Sequence, residues 1–299
     1  MKLPVGPMPV VVTPFDRQGR LDLDSLRSLV EHLLAAEAPA LTVFGLASEA
    51  YSLDDGERQA ILSTVAEITQ GRTPLLVGCD HTGLAGSTVR CRMAADYGAT
   101  AAIVPPPPVL AGYSPSLEAD YYGQLVRTCH LPAIVQDAPS WTGVRWDPKT
   151  LADLLNAVPL LVAVKTESPP TAPTIRWLKR HLRRNQLVYG GYGGVFCYEE
   201  MVAEVDGLLV GGADFPYLNR IWREFHSEQR RGALESYRVV VPYLLAKFAS
   251  LDTFIEIEKH HFCETGVIAT ATCRIPHSAV SREQVTYIQE MARFAGLGT

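Results

Sequence analysis

Short apolar runs alternate with amphipathic stretches over the first three quarters of the chain. Eight of these runs read as strands, at residues 9–13, 40–44, 74–78, 101–104, 133–136, 161–165, 187–190 and 207–210. They recur about every 20–35 residues, the spacing of strand–helix units. Between them lie helical patterns. Leu26, Leu29, Val30, Leu33 and Leu34 form one apolar stripe, and Ile61, Leu62, Val65 and Ile68 form another. Ser52-Leu-Asp-Asp55 reads as a capping box that opens the second helix. Ser114-Pro115 and Asp147-Pro148 each place a capping side chain before a proline at the first helical position. The strand runs are apolar on both faces, as in parallel sheets covered by helices. The pattern predicts an α/β chain whose strands close into a (β/α)8 TIM barrel over residues 1–230.

After residue 230 the strand pattern stops. Residues 233–248, 252–262 and 281–294 read as helices, the last opened by Ser281-Arg-Glu-Gln284 as a capping box. They predict a C-terminal helical extension, 231–299, packed on the barrel.

Composition narrows the partners. Of 299 residues, 47% are apolar and 20% charged, with a net charge of -5. No basic surface is implied, so neither nucleic acid nor an anionic membrane is an expected partner. No apolar run reaches the roughly 18 residues of a membrane span. The six cysteines are dispersed without a Cys-x-x-Cys pair, as buried thiols of a reducing compartment are. With no signal-peptide core at the N-terminus, the expected location is cytoplasmic.

The chemistry concentrates at strand ends, where barrel enzymes keep their reactive groups. Five apolar residues, Leu160 to Val164, run into Lys165, one of only six lysines, and Glu167 follows two positions later. An amine at the mouth of a buried strand is partly desolvated, which favours the free base that attacks carbonyl carbon. The ordinary alternative is a strand-end lysine whose head reaches water. Glu167 shares the lysine's side of the strand if extension persists that far, either as a plain ion pair or as a proton shuttle. Gly45-Leu-Ala47-Ser48-Glu49, Gln136-Asp137 and Gly190-Gly191-Tyr192-Gly-Gly194 close three other strands. The glycine run lacks the G-x-G-x-x-G pattern of a dinucleotide site. Prolines 105–108 make a stiff, extended loop. Glu256, His260, His261, Cys263 and Glu264 are metal-ligand types without H-E-x-x-H spacing. Neither a metal nor a cofactor is expected.

Taken in order, these segments resemble the dihydrodipicolinate synthase / N-acetylneuraminate lyase family of class I aldolases and lyases. Val11-Val-Thr-Pro-Phe15-Asp16 with Gly19 is similar to the family's opening strand and turn, and Gly45 to Glu49 stands where its G-T-T-G-E loop lies. Gly71-Arg-Thr-Pro-Leu-Leu-Val-Gly78 matches its third strand. Val164-Lys165-Thr166-Glu167 matches its Schiff-base strand. The resemblance implies an imine between Lys165 and a small 2-oxo acid such as pyruvate, held as a carboxylate at the 46–48 loop, and a homo-oligomer, dimer or tetramer.

The departures bear on the substrate. Leu46 and Ala47 replace the loop's threonines, which leaves backbone amides and the Ser48 hydroxyl to receive a carboxylate. The family's Y-N-x-P reads Gln136-Asp137-Ala138-Pro139, so its catalytic tyrosine is absent. Trp141 stands where the synthases carry an arginine. The fourth-strand tyrosine is lost among prolines 105–108, with Tyr113 nearby. Proton transfer then falls to Glu167, Asp137, Tyr192 or water, with Gly191, Tyr192 and Trp141 as substrate contacts. The leading expectation is a Schiff-base-forming lyase, aldolase or hydro-lyase, that is not an ordinary dihydrodipicolinate synthase. A non-catalytic ligand-binding barrel that keeps the lysine, or a decarboxylase or deaminase using the same imine, are the alternatives.

Overall fold

The computed structural model describes residues 3–227 and 229–297. Eight parallel strands, β1 (Gly6–Val10), β2 (Leu41–Val43), β3 (Leu75–Gly78), β4 (Ala101–Val104), β5 (Ala133–Asp137), β6 (Leu161–Thr166), β7 (Leu187–Gly190) and β8 (Gly207–Gly211), close in sequence order into a barrel. Around it run helices α1 (Leu23–Ala35), α2 (Asp55–Thr69), α3 (Leu84–Asp96), α4 (Pro115–Cys129), the short α5 (Pro139–Thr142), α6 (Pro148–Ala157), α7 (Thr171–His181), α8 (Cys197–Val202) and α9 (Phe215–His226). The (β/α)8 barrel read from the alternation of patterns is the fold.

Inside the barrel, Met8, Leu76, Ile103, Ile134, Tyr189 and Leu209 interlock with the small residues Ala40, Ala101 and Ala163. The interior is therefore filled below the strand ends, and only the upper rim is left for chemistry. The Tyr189 hydroxyl reaches the far end of the barrel and donates to the Pro4 carbonyl at 2.8 Å. Outward-facing residues of the strands join the helix faces in one large core. Within it the Cys91 thiol lies against those of Cys79 and Cys129, residues that are far apart in sequence.

Two local expectations shift. The first strand occupies 6–10, not 9–13. Alternate residues of a parallel strand address alternate neighbours. The Gly6 amide donates to Asp206 on the β8 side, and the Val11 amide to Thr42 on the β2 side. Pro7 and Pro9 fall in the β2-facing register and have no N–H. Accordingly β1 pairs with β8 over five residues but with β2 only at Val10. The apolar run at 10–12 marks burial, and the paired strand begins three residues before the run expected from sequence. The second helix is capped by Asp54, whose side chain accepts from the Glu57 amide while Glu57 returns the bond. That is a capping box two residues beyond Ser52, which sits in a 3₁₀ turn at Ala50–Ser52. Ser114 and Asp147 cap as the sequence suggests, and Ser281 caps the helix at Arg282–Phe294 by accepting from the Gln284 amide, without the return bond of a capping box.

The extension consists of α10 (Arg230–Lys247), α11 (Leu251–Glu264) and α12 (Arg282–Phe294). Buried charges join it to the barrel. Lys247 of α10 is fully buried and pairs with Asp214 at 2.7 Å and with Glu258 of α11, beside the Tyr243 hydroxyl. Burial opposes its charge and the two carboxylates favour it; the net effect holds the ammonium well above its usual range. Farther along, Phe254 and Ile255 of α11 pack on Val10 and Ala47, which places the extension against the barrel's upper rim.

Candidate active site

The strand register decides which polar residues meet. Gln136 of β5 pairs with Lys165 of β6, and Lys165 pairs with Tyr189 of β7, so these three side chains point into the barrel. Asp137 and Thr166, one step on, point outward. β6 ends at Thr166, yet the Glu167 amide still donates to the Asp137 carbonyl at 2.7 Å. The ladder geometry thus persists one residue past the strand, and Glu167 returns to the inner side. Its Oε2 lies 3.1 Å from Lys165 Nζ, with both side chains more than nine-tenths buried. The amine stands against a carboxylate, as the i, i+2 spacing suggested.

Glu167 is fixed by two further donors. Gln136 Nε2 donates to Oε2 at 2.7 Å, and the Tyr192 amide donates to Oε1 at 3.2 Å. Gly191 leaves the space that the carboxylate occupies, for a Cβ there would stand 2.5 Å from Oε1. Gln136 and Gly191 therefore act on Glu167. Tyr192 contributes its amide, while its ring packs between Phe196 and Phe248. None of this puts the Tyr192 phenol beside the amine, and Gly193 takes the place on the cavity wall that was expected of Gly191 and Tyr192.

Asp137 does not reach the amine. Its carboxylate accepts from the Thr166 hydroxyl at 2.9 Å and the Ser168 hydroxyl at 3.0 Å, on the outer side of the strands. Burial pushes its pKa up, and the two hydroxyls offset part of that rise. It is a strut between β5 and the loop after β6, because alternation turns it away from Gln136.

A cavity of about 40 Å³ opens at the amine, space on the order of a few water molecules. Lys165, Glu167 and Gln136 supply its polar wall, and Gly45, Leu46 and Ala47 supply another. Residues 46–48 form a 3₁₀ turn whose first two amides, Leu46 and Ala47, have no acceptor within the turn. The Ser48 amide donates to the Gly45 carbonyl at 2.9 Å. Its hydroxyl is also spent, donating to the Val11 carbonyl at 2.6 Å in a fully buried position. Ser48 is thus a tether between the loop and the first strand, and the ligand-facing donors are the amides before it. Phe248, Leu251 and Phe254 of the extension complete the wall. No motif in the sequence ties those helices to the site; only their packing does.

Trp141, on α5, lines this cavity and also a second space of about 410 Å³ beside it. That vestibule is walled by prolines 105–108, Tyr51 and Thr142, with Asp80, His81 and Arg90 on one side. Arg90 is already engaged, donating to the Asp80 carbonyl and lying 3.4 Å from Asp55. The proline segment is extended only to Pro107 and then turns in a 3₁₀ helix, Pro108–Leu110. Elsewhere, Glu256 engages His277 at 2.8 Å and His260 at 3.7 Å. No group of three or more metal-ligating side chains comes together among the described residues.

The family model described as the dihydrodipicolinate synthetase family matches residues 4–294. This chain belongs to that family. Among relatives, it is 25% identical to N-acetylneuraminate lyase 2 of Escherichia coli O6:H1 (strain CFT073), over 96% of this chain and 93% of that one. It is 33% identical to the 4-hydroxy-tetrahydrodipicolinate synthase of Xylella fastidiosa over 160 residues, and that match spans about half of either chain (54% and 52%). The crystal structure of dihydrodipicolinate synthase from Rhodopseudomonas palustris superposes with a TM-score of 0.91 at 22% identity, over 98% of this chain and 99% of that one. That likeness is one of fold. Family membership and that likeness agree on the barrel.

Proposed function

We propose that this protein is a class I aldolase-like lyase that forms an imine between Lys165 and a small 2-oxo acid such as pyruvate. The observation that carries the reading is the Lys165–Glu167 contact, with both side chains lining one cavity together with Leu46 and Ala47. In this scheme Glu167 accepts the proton that the ammonium gives up. The free amine attacks the carbonyl carbon to form a carbinolamine, and Glu167 returns a proton to its oxygen as water leaves. The substrate carboxylate lies at the Leu46 and Ala47 amides. Gln136 has no titratable proton, so it holds Glu167 in place and does not replace a phenol. The same carboxylate then serves the later proton transfers at C3 of the enamine.

The second substrate is a weakly charged aldehyde, aromatic or aliphatic, packed on Trp141 and the proline wall. Condensation with aspartate semialdehyde is expected to be slow, because Gln136 has no titratable proton and Trp141 presents an apolar face where a cation would pair with that acceptor's carboxylate. The protein is assigned to the cytoplasm, as a homo-oligomer.

Borohydride trapping with a panel of 2-oxo acids, read by intact mass and peptide mapping, tests the imine. Pyruvate or a close analogue should label Lys165 alone, and Lys165→Arg should abolish the adduct, since arginine stays protonated. Labelling at another residue, or none with any acid of the panel, overturns the proposal. Turnover of aspartate semialdehyde at the rate of an ordinary synthase overturns the substrate assignment.

A further inference from the structure

The loop that presents the Leu46 and Ala47 amides is held from two sides. On the barrel side, Ser48 donates to Val11, and the Thr13 hydroxyl donates to the Ser48 carbonyl at 2.6 Å. The other side belongs to Glu49. This residue joins two 3₁₀ turns in a left-handed conformation, with φ of 50°. Its side chain has no solvent exposure. Oε1 accepts from the Arg274 amide at 2.8 Å, and Oε2 pairs with the ammonium of Lys259. Lys259 comes from α11, is also without exposure, donates to the Thr272 carbonyl at 2.8 Å and lies 4.4 Å above the Phe15 ring.

A non-glycine residue in the left-handed region persists only where its surroundings over-determine it. Here the surroundings are a buried ion pair whose cation is supplied by the extension. Glu49 begins one residue after the turn that carries the free amides, so any movement of its carboxylate moves those donors. A buried carboxylate that loses its cation must either protonate or move toward water. In both cases the geometry of residues 46–48 changes.

We propose that Lys259 is a positioning residue for the substrate carboxylate, acting through Glu49 on the amides of Leu46 and Ala47. The inference rests on the reading that this loop receives the carboxylate. It gives the C-terminal extension a part in recognition as well as in packing.

The test compares pyruvate with pyruvamide, its neutral isostere, by the concentration that half-saturates borohydride trapping at Lys165. In the unaltered protein pyruvate should be favoured about tenfold or more, the worth of a charge-assisted hydrogen bond. Lys259→Met should remove most of that preference by raising the pyruvate value, with pyruvamide little changed. If the Met variant does not fold, Glu49→Gln/Lys259→Met removes both charges together and should show the same lost preference. A simple structural role would lower thermal stability and leave the ratio intact, and an intact ratio in the folded variant overturns the inference. If the unaltered protein itself fails to prefer pyruvate, the carboxylate-loop reading is what falls.

Discussion

Replacing Glu200 by Gln should stabilise this protein at neutral and alkaline pH and leave its stability almost unchanged in mild acid. Glu200, on α8, is fully buried behind β7, and neither carboxyl oxygen has a hydrogen-bond partner among the described residues. Gly190 and Leu208 wall it in, so closely that a Cβ at 190 would overlap its carboxyl. Burial is the main reason its pKa rises to about 8, with the charges of Glu167 and Glu199 adding to the effect. The Thr171 hydroxyl lies near enough to offset a little of that rise, though not in hydrogen-bonding geometry. In the unfolded chain the same acid titrates near its ordinary value of 4.5. Between those values the folded protein holds a proton that the unfolded chain has released, so stability falls as pH rises through this window. Each pH unit is worth about 1.4 kcal/mol, which makes the cost at pH 8 about 3–5 kcal/mol as an upper range. Glutamine keeps the shape and the neutral state without the titration. Equilibrium urea unfolding at pH 5, 6, 7 and 8 measures the difference between the two proteins. The variant's advantage should be small at pH 5 and grow to several kcal/mol at pH 8. A difference that stays constant across the series would mean that Glu200 finds a cation or water when ionised, and the argument from burial would be wrong.

Two further outcomes follow from the site. Ser48→Ala should lower stability by about 1–3 kcal/mol by leaving the buried Val11 carbonyl without its donor, and should leave the half-saturating pyruvate concentration within about twofold; a large rise in that concentration would put the hydroxyl back at the ligand. Gly191→Ala should displace Glu167 and slow imine formation by about 10²-fold or more, as loss of positioned acid–base help does, with rapid-quench trapping of Lys165 as the readout; an unchanged rate would remove Glu167 from the proton transfers.

The alternation of apolar runs and amphipathic stretches was enough to specify a closed parallel barrel, because strands covered on both faces have few other ways to bury themselves. The i, i+2 spacing of Lys165 and Glu167 was enough to place both on one side of β6, since strand geometry repeats every two residues. That same period, applied to β5, separates Gln136 from Asp137. Both residues stand as candidates in the sequence, which does not say which of two adjacent residues faces inward, and only the register of β5 on β6 decides it. Ser48 is the parallel case. Its residue type suits a ligand donor, yet its hydroxyl is taken by the Val11 carbonyl, 37 positions away. Pairing with β8 set the first strand at 6–10, and the prolines at 7 and 9 confined its pairing with β2 to Val10, because pairing depends on which edge a missing N–H falls on. The cavity's aromatic wall, the Lys259–Glu49 pair and the unpartnered Glu200 had no local signature. Each depends on segments that meet only when the extension docks or the helices close around the barrel, and burial without a partner is a property of that closure, not of any residue in the chain.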